Sequence, residues 1–165
     1  MADATLRDFR AADAAEVDRV ALAAFEQYRA HYTDWPAMAA NVGRMSSLAD
    51  QGEIVVAERA GRIVGAVAYV AAGRPKAAHF DQSWPIIRML VVEPQSRGGG
   101  VGRALTEECV RRARRDGAGA IALHTSPIMT VALPLYLRMG FCRRRDAPAI
   151  HGVAYAVYLK ELLAP

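Results

Sequence analysis

The chain has 165 residues, 53% of them apolar and 23% charged, with a formal net charge of +4. That length allows one domain, residues 1–165, with a substantial core, and the composition is ordinary for a globular protein rather than a disordered or repetitive one. No apolar run approaches the roughly 18 residues of a membrane-spanning helix, and two cysteines, Cys109 and Cys142, make neither a disulfide framework nor a metal-ligand spacing.

Residues 5–10 alternate weakly around Leu6 and Phe9 and predict a first strand. Asp13 is the expected N-cap of a first helix, with Glu16 at the capping-box position. Val17, Val20, Ala21, Ala24 and Phe25 then recur at helical spacing. Thr33 or Asp34 caps a second helix with Pro36 in its first turn, running to about Leu48. Residues 53–59 and 62–72 are strands joined by a hairpin turn at Ala60-Gly61. Residues 76–84 are irregular. Residues 119–125 form a further strand after a helix that closes at Asp116-Gly117. A fourth helix is expected from Ser126-Pro127 to about Met139, kinked or shortened by Pro134 and stopped by Gly140. Residues 141–145 and 153–159 are the last strands. There is no repeat, linker or low-complexity tract. The N-terminal M-A-D-A-T-L-R-D carries charge where a signal peptide needs an apolar stretch, so a cytoplasmic location is expected.

The stretch from 86 to 116 organises the rest. A β-branched run (Ile86, Ile87, Leu90, Val91, Val92) is cut by Pro94, followed by Gly98, Gly99, Gly100 and Gly102. Val101, Ala104, Leu105, Cys109 and Ala113 then repeat at helical spacing. Strand, glycine-rich turn and helix in this order leave bare backbone for a ligand and offer the unpaired N–H groups and positive dipole end of a helix. Such a site suits a phosphate. A Walker A loop needs a Gly-Lys pair, which is missing here. The dinucleotide fingerprint G-x-G-x-x-G needs a third glycine. Counting from Gly98 puts Arg103 there, and counting from Gly100 puts Leu105.

What fits is Arg97-x-x-Gly100-x-Gly102 preceded by Leu90-x-Val92-x-Pro94, with Tyr136-x-x-x-Gly140-Phe141 as a second block. Both closely resemble the GCN5-related N-acetyltransferase (GNAT) family, and the resemblance extends loosely over the whole chain. It implies an α/β fold, a mixed and mainly antiparallel sheet flanked by helices, in which the fourth and fifth strands splay to admit coenzyme A. It implies acetyl-CoA as cosubstrate and no metal. It assigns Leu90, Val91, Val92, Arg97, Gly98, Gly99, Gly100, Val101, Gly102 and Arg103 to the cofactor and a bulge to the strand before the loop. Tyr136 corresponds to the family's tyrosine near the coenzyme A sulfur, where a phenol, which ordinarily titrates near about pH 10, can supply a proton to the departing thiolate.

The base stays open among Glu93, Asp81, His79, His124 and water-mediated ionisation of the substrate. Tyr28, His31, Tyr32 and Trp35, with His79, Phe80, Asp81 and Trp84, are candidates for the acceptor pocket. Aromatic rings with one acid there would suit a cationic amine of modest size. The expected partner is a small-molecule or peptide amine, with a homodimer allowed and neither membrane nor nucleic acid. Arg111, Arg112, Arg114 and Arg115 end a helix, where cations complement the dipole. The run of Arg143, Arg144 and Arg145 cannot all face one way on a strand. The alternative functions are a non-catalytic coenzyme A sensor of the same fold, a nucleic-acid binder using these arginines, and transfer of another acyl group.

Overall fold

The computed structural model describes residues 3–162. One seven-stranded sheet is built from β1 (Thr5–Asp8), β2 (Glu53–Arg59), β3 (Arg62–Val70), β4 (Ile86–Val92), β5 (Ala120–Thr125), β6 (Cys142–Ile150) and β7 (Val153–Glu161), in the spatial order β1-β2-β3-β4-β5-β7-β6. All neighbours are antiparallel except β4 and β5, which run parallel. Helices α1 (Ala14–Phe25) and α2 (Trp35–Val42) cover one face, and α3 (Val101–Arg115) and α4 (Ala132–Arg138) the other. The mixed, mainly antiparallel sheet between helices is the expected architecture, in the expected element order.

Because both faces are covered, the inner strands are apolar on both sides; β3 is buried from Ile63 to Val70. The amphipathic stripe of α3 sets Val101, Leu105, Cys109 and Ala113 against β2, β3 and β5. Burying each of the larger chains contributes roughly 1.5–3 kcal/mol. Gly65 lets the start of α3 sit low on the sheet: a Cβ there would stand 3.0 Å from Val101 Cγ1 and 3.1 Å from the Val91 carbonyl oxygen. At the far end of α3, the buried Arg112 guanidinium donates to Asp8 (2.6 Å), Glu53 (2.8 Å) and Glu108 (3.1 Å). The arginines of this helix end are therefore largely spent on ion pairs, since Arg111 also holds Glu108 and Arg115 holds Glu53.

Several boundaries differ from the sequence reading. Asp13 does not cap α1 through its side chain; it accepts from the Arg10 N–H (2.8 Å) and from Arg7, closing a short 3-10 turn, Ala11–Asp13. Glu16 accepts instead from the Ile63 N–H at 2.8 Å, tying α1 to β3. Asp34 is the cap of α2, accepting from Ala37 N–H at 3.1 Å, but α2 stops at Val42 and Gly43, and a 3-10 segment, Met45–Asp50, replaces its expected last turns. The fourth helix starts at Ala132, not Ser126. Pro127 disfavours helical geometry at Ser126, and Pro134 falls in the first turn, where its missing N–H would be unpaired in any case. β3 ends at Val70, short of residue 72. β6 and β7 are each longer than expected and form a hairpin at the sheet edge. No helix among the described residues is long and apolar enough to cross a membrane.

Candidate active site

β4 and β5 are paired at one end only. Ile86 faces Ala122, and the Ala122 N–H reaches the Pro85 carbonyl at 3.0 Å; beyond that point no pairing between the strands exists among the described residues. A cleft of about 440 Å³ opens in the gap.

One side of this cleft is made of backbone. In β4, Val91 pairs with Ala66 and Arg88 with Ala68, so Met89 and Leu90 together oppose Val67 alone. This is a β-bulge, and Met89 sits in it at a positive φ of 57°. The pairing is broken where the strand borders the cleft, which leaves backbone polar groups available there. Next comes the loop. Gly98 and Gly100 have φ of 85° and 81°. Gly100 is the N-cap of α3 and has no side chain to satisfy the helix's first N–H groups; the first intrahelical bond is from Ala104 N–H to the Gly100 carbonyl, at 3.0 Å. A Cβ on Gly98 or Gly100 would meet no protein atom within 4 Å, so the space over this helix end is open. These N–H groups and the helix dipole can seat a phosphate.

Of the residues expected at the cofactor, Leu90, Val92, Arg97, Gly98, Gly100, Val101, Gly102 and Arg103 line the cleft. Val91 does not: its side chain is buried in the core under α1, because alternate residues of a strand point to opposite faces. Nor does Gly99, which turns toward the Arg59 guanidinium. Arg97 donates to the Ala24 carbonyl at 3.3 Å, and Arg103 pairs with Glu107 at 2.9 Å while remaining exposed. Arg138, not singled out from the sequence, joins Arg103 at the wall.

Tyr136 lines the cleft from α4, with its ring edge-on to Phe141 at 5.7 Å. Burial pushes its phenol pKa well up, so it keeps its proton across the working pH range.

The opposite side is made of side chains on the α1 and α2 face. Phe25, Tyr28, Met38, Arg88, His124 and Tyr155 come from different strands and helices. Tyr32 hydroxyl and Tyr155 hydroxyl share a 2.5 Å hydrogen bond, and Trp35 packs on Tyr32 at 6.2 Å. His124 Nδ1 and His79 Nε2 are 3.0 Å apart. The His124 ring also touches Phe80 and Tyr155. Burial first, then His79 and Arg88, lower the His124 pKa to about 4, so it is neutral at neutral pH.

The other expected bases are elsewhere. Glu93 pairs with Arg19 (3.2 Å) and Arg62 (3.8 Å), outside the cleft. Asp81 is exposed and accepts from the Ser83 hydroxyl (2.6 Å) and N–H (2.8 Å), which hold its pKa down. His31 is exposed, and Trp84 lies under Arg145, whose guanidinium donates to the His79 carbonyl at 2.7 Å. The acid expected in the acceptor pocket is thus absent, and no Asp or Glu lines the cleft among the described residues. Cys109 is buried in the core, and burial raises its pKa, so it makes no nucleophile. Among the described residues no group of three or more metal-ligating side chains gathers.

Residues 14–141 match the sequence model of the Acetyltransferase (GNAT) family. The mycothiol acetyltransferase of Nocardia farcinica is 36% identical over 80 residues, covering 47% of this chain and 25% of that protein. The chain spans about half or less of the length of the curated relatives it matches. A GCN5-related N-acetyltransferase from Rhodopseudomonas palustris has the same fold, with a TM-score of 0.75 at 22% identity over 98% of both chains. So does the PaiA N-acetyltransferase of Thermoplasma acidophilum, solved in complex with coenzyme A, with a TM-score of 0.72 at 14% identity over 98% of this chain and all of that one. The family model covers well over half of the sequence, and the sheet, the bulge and the glycine-capped helix are built as the motifs imply: this chain belongs to the GNAT family of acetyltransferases.

Proposed function

We propose that the protein is an acetyl-CoA-dependent N-acetyltransferase that passes the acetyl group to a primary amine by direct attack, with cosubstrate and acceptor together in the cleft. The observation that carries this reading is the opening of two backbone features, the bulge at Met89 and Leu90 and the Gly100-capped end of α3, onto one gap between β4 and β5. On this reading residues 1–165 act as a single cytoplasmic N-acetyltransferase domain, and its amine is a small molecule or a peptide.

Acetyl-CoA supplies the acetyl thioester. The N–H groups of the loop and first turn, from Gly98 to Arg103, hold the diphosphate, and the exposed guanidinium of Arg103 adds a cation beside them. The bulge offers backbone donors to the carbonyl oxygen, where negative charge grows as the amine adds. Tyr136 delivers its phenolic proton to the departing sulfur. His124, neutral and facing the gap, takes the proton that the amine nitrogen loses as the C–N bond forms. From Nδ1 it can hand a proton to His79 across 3.0 Å, and His79 is partly open to solvent. Formation of the C–N bond and rupture of the C–S bond leave an N-acetyl amide and a free thiol: the sulfur takes the Tyr136 proton, the amine proton leaves through His124, and Tyr136 regains a proton from solvent to close the cycle.

Calorimetry with acetyl-CoA, followed by thiol release against an amine panel with the product identified by mass, tests the reading. Binding and amine-dependent release are expected. Absence of binding would sink it, and binding without release for any amine would make the chain a coenzyme A-binding module instead.

A further inference from the structure

The acceptor side of the cleft has an unusual charge pattern. Arg88 pairs with Ala68 and so points to the α1 and α2 face of β4, into the gap. It is half-buried, and burial lowers its pKa. Its one hydrogen bond among the described residues is a 3.4 Å contact to Gln51 Oε1, long and to a neutral group. No carboxylate pairs with it among the described residues, although Arg7, Arg19, Arg62, Arg103, Arg112 and Arg115 each hold one. A partly desolvated cation without a counter-ion is costly. The cleft around it offers aromatic rings and methionines, Phe25, Tyr28, Met38 and Met129, with no Asp or Glu. A polyamine or other polycation would find one positive charge there and nothing to pair with.

We propose that Arg88 anchors a carboxylate on the acceptor, so that the amine acetylated belongs to a small, apolar amino acid. The inference rests on the N-acetyltransferase reading and adds the acceptor's chemical class to it. Arg88 lies near enough to His124 for its charge to contribute to lowering that histidine's pKa. Arg88 and His124 line the same cleft, and in an α-amino acid one carbon separates the carboxylate from the amine, so a carboxylate on Arg88 keeps the amine in the cleft that His124 faces. The apolar walls then receive the side chain, and the limited volume, shared with the cosubstrate's arm, excludes bulky acceptors.

The test uses three matched acceptors, methionine, methionine amide and 3-(methylthio)propylamine, with the same series built on leucine. In the wild type the free acid is favoured over its amide and over the decarboxylated amine by about 10- to 100-fold in kcat/KM, mostly through KM. Arg88→Gln removes that preference by raising KM for the acid while leaving the amide unchanged, and Arg88→Lys restores part of it. Independently of turnover, calorimetry of N-acetylmethionine with the protein shows binding that Arg88→Gln abolishes, with unchanged thermal melting excluding misfolding. Equal rates for acid and amide, survival of the preference in Arg88→Gln, or a panel led by polyamines would overturn the inference while leaving the transferase reading intact. Failure of acetyl-CoA to bind would sink that broader reading, and the N-acetylmethionine titration would still decide whether Arg88 holds a carboxylate.

Discussion

The two sides of the cleft are built on different principles. The side from Met89 to Arg103 is contiguous in sequence and works through main chain: a bulge, two glycines at positive φ and a helix end. The side facing α1 and α2 is assembled from Phe25, Tyr28, Arg88, His124 and Tyr155, which are far apart in the chain and work through side chains. Backbone recognition tolerates few changes, because the binding groups belong to the chain path itself. Side-chain recognition can be rewritten one residue at a time without moving the fold. The comparison predicts that damage on the first side removes binding, whereas damage on the second changes which acceptor is used and how fast.

The largest effect is expected at Gly102. A Cβ there would stand 3.6 Å from Leu135, 3.7 Å from Val92 and 3.9 Å from Leu90, ordinary contacts, so the fold accepts a methyl group. Yet Gly102 lines the cleft at the open helix end. Gly102→Ala is expected to weaken acetyl-CoA binding by about 100-fold or more, a few kcal/mol, with little change in melting temperature. Unchanged affinity in a calorimetric titration would show that the phosphate groups lie elsewhere. Gly100→Val should weaken binding as well, but its φ of 81° adds backbone strain of about 1–3 kcal/mol, so it is expected to melt earlier.

Tyr136→Phe comes next, and it separates binding from chemistry on the backbone side. The phenol is buried at the cleft wall and firmly protonated, and the ring packs on Phe141. Phenylalanine keeps that packing and removes only the hydroxyl. A fall in kcat of about 100-fold, within the usual range for a lost general acid, is expected with acetyl-CoA affinity unchanged. Equal losses in both would make Tyr136 a wall residue.

How much of this is legible in the sequence follows the same division. The strand, glycine turn and α3 are legible because each signal is local: β-branched run, glycine cluster, helical repeat. Tyr136 is legible through a second local block. The cleft's other wall is not. Arg88 sits in an apolar strand and looks like a solvated cation until the sheet sets it in the same cleft as His124. Asp81 looks like a pocket acid, but its carboxylate bonds two residues along its own turn, to Ser83. Arg112 reads as an exposed helix-end cation, while its partners Asp8 and Glu53 lie in strands 104 and 59 residues away in sequence. The start of α4 is misplaced because helical spacing continues back through Ser126, where Pro127 disfavours the helix.

On the side-chain wall, His124→Phe is expected to lower kcat/KM by about 10-fold or more, at the low end for a lost base because water can substitute. Phenylalanine preserves the ring contacts with Phe80 and Tyr155, and acetyl-CoA binding should not change. Full activity in this variant would move the proton acceptor to bulk water.

The same variant carries the smallest and most specific effect, in the pH dependence of stability. His124 has a pKa of about 4 in the folded protein, lowered chiefly by burial, and about 6.5 when unfolded. Between these values the unfolded chain binds more protons, so stability is complete above about pH 6.5 and declines as the pH falls toward 4. From about pH 7 to about pH 5 the loss attributable to His124 is on the order of 2 kcal/mol. His79, its pKa also lowered by burial, adds a loss in the same direction. The paired carboxylates act in a lower window: the Arg111 hydrogen bond is the largest contribution holding Glu108 down at about 2, so its stabilising pairing is lost only below about pH 4.5. Thermal melts of wild type and His124→Phe should therefore diverge between about pH 7 and 5, with the variant flatter, and run parallel below 4. Parallel curves throughout would mean that His124 is solvated rather than buried, and the side-chain wall would lose the neutral imidazole on which its proton transfer depends.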